Sequence, residues 1–281
     1  MKTLLLVTLA LSSTIASANC KLPKGEKITV GCTYKCDFFT RSRLKAAGAR
    51  LGYKVKVVNL ASKTKDANKA LIDVDSVLIP GGADIHPKFY LKNVTPELRE
   101  YTEANIHLAK LTDEGKERDL FEYSILRKMI NSPAEYRKLP VLGICRGMQM
   151  MSVAQGIPLY LDIKTELGIP NRKYLFDKIN ITDNNSLMSS IYGDKKFSGY
   201  EEHHQGIRVN YYDAHRNEYP NVNVSAYSNE GLVAESIEYL NLTGLGVQYH
   251  PEKSLPGATF PVFKWLLTKA CEFKAATKDV L

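Results

Sequence analysis

The 281-residue chain is 44% hydrophobic and 24% charged, a length and composition that suit one large α/β domain with a substantial core. Its net charge is +8, but the Lys and Arg residues are spread along the chain and read as solvated faces. No nucleic-acid-binding signature and no later segment apolar enough to span a membrane accompany them.

The first twenty residues, MKTLLLVTLALSSTIASANC, carry Lys2, an apolar stretch from Leu4 to Leu11, and Ala16-Ser17-Ala18. This is the pattern of a secretory signal peptide over 1–18 with an A-x-A cleavage site. A buried strand and a lipidated Cys20 are the competing readings, and Ser17-Ala18-Asn19 is a poor lead-in for the second. Export, to a periplasm, the outside or a secretory lumen, leaves 19–281 as a single domain. Five cysteines follow: Cys20, Cys32, Cys36, Cys145 and Cys271. If Cys145 stays free, the other four allow three disulfide connectivities. Cys32 and Cys36 are C-x3-C without a second ligand pair, which argues against zinc.

Beyond the leader the first half alternates. KITVGCT (27–33) reads as a strand, RSRLKAAGARLGY (41–53) as a helix, and KVKVVNL (54–60) and DSVLIPGG (75–82) as strands. GKERDLFEYSILRKMI (115–130) is a helix with Leu120, Phe121, Ser124, Ile125 and Met129 on one face. LPVLGI (139–144) is a near-continuous apolar strand, and RGMQMMSVAQ (146–155) follows as helix. Strands of this kind between helices imply a flavodoxin-like, mostly parallel sheet covered on both faces. From about residue 175 the runs FDKINIT, IRVNYY, VNVSAYS, GLVAESIEYL and LTGLGVQYH read as an antiparallel extension. TFPVFKWLLTKACEF (259–273) closes the chain as an amphipathic helix packing Phe263, Leu266 and Leu267.

The chemistry concentrates at three places. Gly143-Ile144-Cys145-Arg146-Gly147, between a strand and a helix, has the form of a nucleophile elbow. Such a turn drives its central residue toward φ > 0, needs small residues two before and two after, and presents the sulfur at the helix N-terminus. A buried structural cysteine would share part of this pattern. GVQYHPE (246–252) ends a strand at His250, with Glu252 able to reach the same edge. His250 can then act as base toward Cys145, and Glu252 can fix the imidazole. IPGGADIHP (79–87) offers backbone N–H groups in a Gly-Gly turn after a strand. One at Gly82, with that of Arg146, can form an oxyanion hole, although a plain strand-ending turn reads the same way.

Together LIPGGADIHPKFY, ERDLFEYSIL, LPVLGICRGMQMMSVAQG, EEHHQGI and GLGVQYHPE resemble, in order, the class I glutamine amidotransferase fold. More closely they resemble its hydrolase branch, peptidase family C26, the γ-glutamyl and γ-glutamyl-γ-aminobutyrate hydrolases. The resemblance implies a Cys145, His250 and Glu252 triad with an oxyanion hole at Gly82 and Arg146. It implies substrate contacts from Gly81, Gln149, His203, His204 and Gln205, and no metal or organic cofactor. For His203, His204 and Gln205, structural polar residues on an exposed hairpin are the alternative, and a metal site using His203, His204 and His215 lacks a partner at helpful spacing. The chain departs from the branch at Ser152, where Asn is usual, at Gly156-Ile157, where Gly-Gly is usual, and at Glu201 and Glu202, where Ser or Asn is common. The 115–130 helix reads as packing and helix electrostatics.

The implied substrate is a small γ-glutamyl amide or peptide, cleaved through a thioester. A glutaminase domain serving a synthase, a binding protein on the same fold, and a hydrolase of γ-linked glutamate polymers are the alternatives. The oligomeric state is open, a homodimer included.

Overall fold

The computed structural model describes residues 20, 22, 26–170, 172–193 and 196–278; the expected signal peptide lies outside them. Its strands are β1 Lys27–Cys32, β2 Lys54–Asn59, β3 Ser76–Ile79, β4 Val141–Ile144, β5 Leu159–Tyr160, β6 Arg172–Ile181, β7 Lys196–His203, β8 Gly206–Ile207, β9 Val222–Ser228, β10 Val233–Tyr239 and β11 Gly244–Val247. The helices are α1 Phe38–Arg50, α2 Ala67–Ala70, α3 Pro96–Ala104, α4 Asp113–Asn131, α5 Pro133–Tyr136, α6 Arg146–Ala154, α7 Ile163–Leu167, α8 Leu187–Tyr192, α9 Val209–Ala214 and α10 Pro256–Lys278.

Nine strands form one sheet in the order β2-β1-β3-β4-β11-β10-β9-β6-β7. The first five are parallel. Their succession follows the flavodoxin-like order, which places ligands at the carboxyl ends of the strands. The remaining four are antiparallel, as the change of pattern after residue 175 implied, but LTGLGVQYH, read as part of that extension, supplies β11, which runs parallel to β4. β3 and β4 are buried along their whole length because helices cover both faces. On one face α4 and α6 bury Phe121, Ile125, Met129, Met148 and Met151 against Val77, Ile79 and Val141. On the other, α1 and α10 bury Leu44, Phe263, Leu266 and Leu267 against Ile28, Leu78 and Leu245.

Three local readings need correction. The first helix starts at Phe38, capped by the Asp37 carboxylate on the Thr40 N–H at 2.7 Å, and ends at Arg50. IRVNYY is not a strand beyond Ile207; it turns into α9, although Ile207, Val209 and Tyr211 alternate. On α4, Leu120 is exposed, while Arg118, Asp119 and Glu122 are buried. The cause is helical geometry: residues 118, 122, 125 and 129 share one stripe, and 120 lies across the helix from it.

The four remaining cysteines pair as Cys20–Cys271 and Cys32–Cys36, and Cys145 is free and buried. Among the described residues no helix is long and apolar enough to cross a membrane.

Candidate active site

Cys145 sits between β4 and α6 at φ 52° and ψ −107°. A non-glycine residue in that region stores about 1–3 kcal/mol of strain, which only firm surroundings maintain. The surroundings here are backbone. A Cβ on Gly143 would lie 2.6 Å from the Gly147 carbonyl group, and one on Gly147 would lie 2.0 Å from the Ile79 oxygen. Strand and helix pass so closely that neither position admits a side chain. The Cys145 N–H donates to the Val247 carbonyl at 2.7 Å, which ties the elbow to β11.

Past the end of β11 comes His250, whose backbone N–H donates to the Tyr200 carbonyl at 2.8 Å. Its Nδ1 meets Glu252 Oε1 at 2.6 Å, and the imidazole shares one cavity wall with the Cys145 side chain. With Nδ1 committed to the carboxylate, Nε2 is the ring atom left for sulfur. Burial pulls the His250 pKa down, but the sulfur and the Glu252 carboxylate outweigh it and hold the pKa well above the ordinary value. The arrangement therefore favours the imidazolium form of His250. The Gln248 amide adds a weak donor to Sγ at 3.6 Å.

A cavity of about 490 Å³ opens over the sulfur. Its walls include Gly81, Gly82, Cys145, His203, His204, His250 and Glu252. Both signs of charge line it, with Asp84 and Glu202 on one hand and Lys110 and Lys253 on the other. Arg146 is the residue after the nucleophile and heads α6, where backbone N–H groups lack intrahelical partners. Its side chain turns away into the core, paired with Asp119 at 2.5 Å and with Glu122.

The residues expected to touch substrate divide into two groups. Gly81, His203 and His204 line the cavity, whereas Gln149 and Gln205 are buried beside it. Gln149 donates to the Gln205 carbonyl at 2.9 Å and to the Gln248 side chain at 3.2 Å. His204 bridges Asp84 at 2.9 Å and Asp162 at 3.1 Å. Burial opposes its charge, but the two carboxylates win and raise its pKa. His203 holds the Gln205 carbonyl through Nδ1 at 2.7 Å and faces Glu201 through Nε2 at 3.0 Å. Donor atoms of Glu201, His203 and Glu235, all buried, lie within 4.8 Å of one another, close enough to surround a cation. His203 thus has carboxylate neighbours that linear spacing among histidines did not reveal; Glu201, two residues back on β7, was the available signal.

Sequence reasoning also missed the reach of α4. Arg118 donates to the Pro80 and Gly81 carbonyls at 3.0 and 3.1 Å. Asp119 accepts from the His86 N–H at 3.0 Å, and Glu122 accepts from the Thr33 hydroxyl at 2.8 Å. A segment read as packing therefore joins the elbow, the Gly-Gly turn and the loop after β1.

The family profile of peptidase C26 matches residues 38–252. Protein NtpR of Enterococcus hirae is 27% identical over 201 residues, covering 68% of this chain and 72% of that one. The glutamine amidotransferase-like protein YvdE of Lactococcus lactis is 27% identical over 220 residues, covering 76% and 80%. A glutamine amidotransferase structure from Thermotoga maritima superposes with a TM-score of 0.51 at 12% identity, over 88% of this chain and 97% of that one. The structure of a GMP synthase component from Thermoplasma acidophilum gives 0.54 at 14% identity, over 91% and 98%. At those identities the two structures speak for the fold alone. Profile, relatives and fold agree: the chain belongs to peptidase family C26, a hydrolase family of the class I glutamine amidotransferase-like superfamily.

Proposed function

We propose that this protein is an exported cysteine hydrolase that cleaves γ-glutamyl amide or peptide bonds through a γ-glutamyl thioester on Cys145. The observation that carries the reading is the gathering of Cys145, His250 and Glu252 at one cavity, with His250 hydrogen-bonded to Glu252. The Cys145 thiolate attacks the δ-carbonyl carbon, and the resulting oxyanion lies against the Gly82 and Arg146 N–H groups. His250 Nε2 gives its proton to the leaving nitrogen as the C–N bond breaks, and Glu252 supports the imidazolium until then. Water then attacks the thioester, His250 takes its proton, the C–S bond breaks, and glutamate leaves with the thiolate restored.

The mixed charge of the cavity wall suits the α-ammonium and α-carboxylate of a γ-glutamyl group. Two disulfides beside one free cysteine suit an oxidising compartment, in keeping with the signal-peptide pattern over 1–18. The test is release of glutamate from a γ-glutamyl dipeptide, γ-glutamyl-γ-aminobutyrate and glutamine, by wild type and by Cys145→Ala. Release from the first two by wild type alone supports the proposal. Release from glutamine alone would make the protein a glutaminase, and undiminished release by Cys145→Ala would sink the cysteine mechanism.

A further inference from the structure

We infer that Arg118 is a positioning residue that aims the Gly82 N–H at the oxyanion; the inference rests on the reaction proposed above. The physical link is one peptide plane. The Gly81 carbonyl and the Gly82 N–H belong to the same planar trans amide and point in opposite directions. Whatever holds the Gly81 oxygen sets the direction of the Gly82 donor. Arg118 holds it at 3.1 Å through Nη1, and holds the Pro80 oxygen at 3.0 Å through Nη2. A hydrogen bond to the carbonyl also polarises the amide and strengthens its N–H as a donor.

The guanidinium is itself fixed on every side. It is 3% exposed. Glu122 accepts from Nε at 3.3 Å and from Nη2 at 3.2 Å. The Tyr34 ring stacks on it with 4.7 Å from the guanidinium carbon to the centroid, and Tyr34 lies within the loop closed by Cys32–Cys36. A Cβ at Gly82 would fall 2.0 Å from Arg118 Nη1 and displace the guanidinium, and the φ of 156° there is one that side chains rarely adopt. Glu122 also binds the Arg146 side chain, so one turn of α4 tethers both the Gly-Gly turn and the residue after the nucleophile. A planar fork can bridge two successive carbonyls; a lysine ammonium meets them as a point charge.

The test separates oxyanion stabilisation from nucleophilicity. Alkylation of Cys145 by iodoacetamide is a displacement at carbon that forms no oxyanion, whereas acyl transfer forms one. Arg118→Met is expected to lower kcat on a γ-glutamyl anilide by on the order of 10²-fold, with KM and the alkylation rate near wild type. Arg118→Lys is expected to recover part of the loss, and it decides by the same split if Arg118→Met does not fold. An unchanged kcat overturns the inference, and so does a parallel fall of kcat and alkylation, which would mark a merely structural residue. The comparison is repeated on p-nitrophenyl acetate, which acylates the same sulfur. A deficit of Arg118→Met on that ester sustains the inference even with no γ-glutamyl turnover in wild type, a result that would instead fell the substrate reading.

Discussion

Gly147→Ala probes the elbow most sharply. The new methyl would lie 2.0 Å from the Ile79 carbonyl oxygen and 2.8 Å from the carbonyl carbon, where real contacts begin beyond 3.0 Å. The gap must open by about 1 Å. β3 cannot yield it, because it is hydrogen-bonded to β1 and β4 on its two edges. α6 must move, carrying Cys145 and the Arg146 N–H with it. A misplacement of about 1 Å costs roughly 10²-fold in rate, and overpacking of this kind about 1–3 kcal/mol in stability. For a chain of this size that is a fall in Tm of roughly 2–4 °C per kcal/mol. Gly257→Ala is the control. Nothing lies within 4 Å of a Cβ there, and alanine in a helix should stabilise by about 0.5–1 kcal/mol. The assay is kcat/KM for glutamate release beside thermal unfolding followed by circular dichroism. Wild-type kcat/KM and Tm in Gly147→Ala would refute the reasoning that close backbone passage shapes the elbow.

Other consequences follow from the same geometry. Because His250 is held protonated well above its ordinary pKa, kcat/KM should persist into alkaline pH and fall only as that proton is lost. Glu252→Gln removes one cause of the rise, so the alkaline limb should move to lower pH; an unmoved limb would show that Glu252 does not support the imidazolium. The Cys20–Cys271 bridge spans 251 residues and Cys32–Cys36 only 4. Loop-closure entropy gives about 5.5 kcal/mol for the first and about 2 kcal/mol for the second, so urea unfolding should find Cys271→Ser a costlier change than Cys36→Ser. For His204 the folded pKa is raised, so the stability it contributes is full below its ordinary value of about 6.5 and is lost as pH rises through the folded value. His204→Gln should therefore destabilise more in mildly acidic than in alkaline buffer, and equal destabilisation in both would contradict the Asp84–His204–Asp162 bridge.

The elbow was legible because its demands are local: a tight strand-to-helix passage needs glycine at 143 and 147, and few other chemistries explain a cysteine between them. The parallel half was legible because its central strands, β3 and β4, are covered on both faces and nearly continuously apolar. The role of α4 was hidden because Arg118, Asp119 and Glu122 look like an ordinary solvated face, and only their register with Ile125 and Met129 betrays that they point inward. β7 was hidden for a similar reason, since Lys196–His203 has little apolar alternation although Glu201 is fully buried. The disulfide pairing could not be read at all, because four cysteines permit three connectivities and only the packing of α10 brings Cys271 to Cys20. Val209–Ala214 shows tertiary context overriding a strand-like alternation.

The most direct test of the central claim is to catch the acyl-enzyme. Wild type, mixed with a γ-glutamyl anilide and quenched in acid within the first turnover, would be weighed intact and then mapped by peptide mass. The expected result is a gain of one glutamate less one water, carried by the peptide that contains Cys145, and absent from Cys145→Ala. Turnover with no adduct on Cys145, or the same adduct in Cys145→Ala, would contradict nucleophilic catalysis by this cysteine.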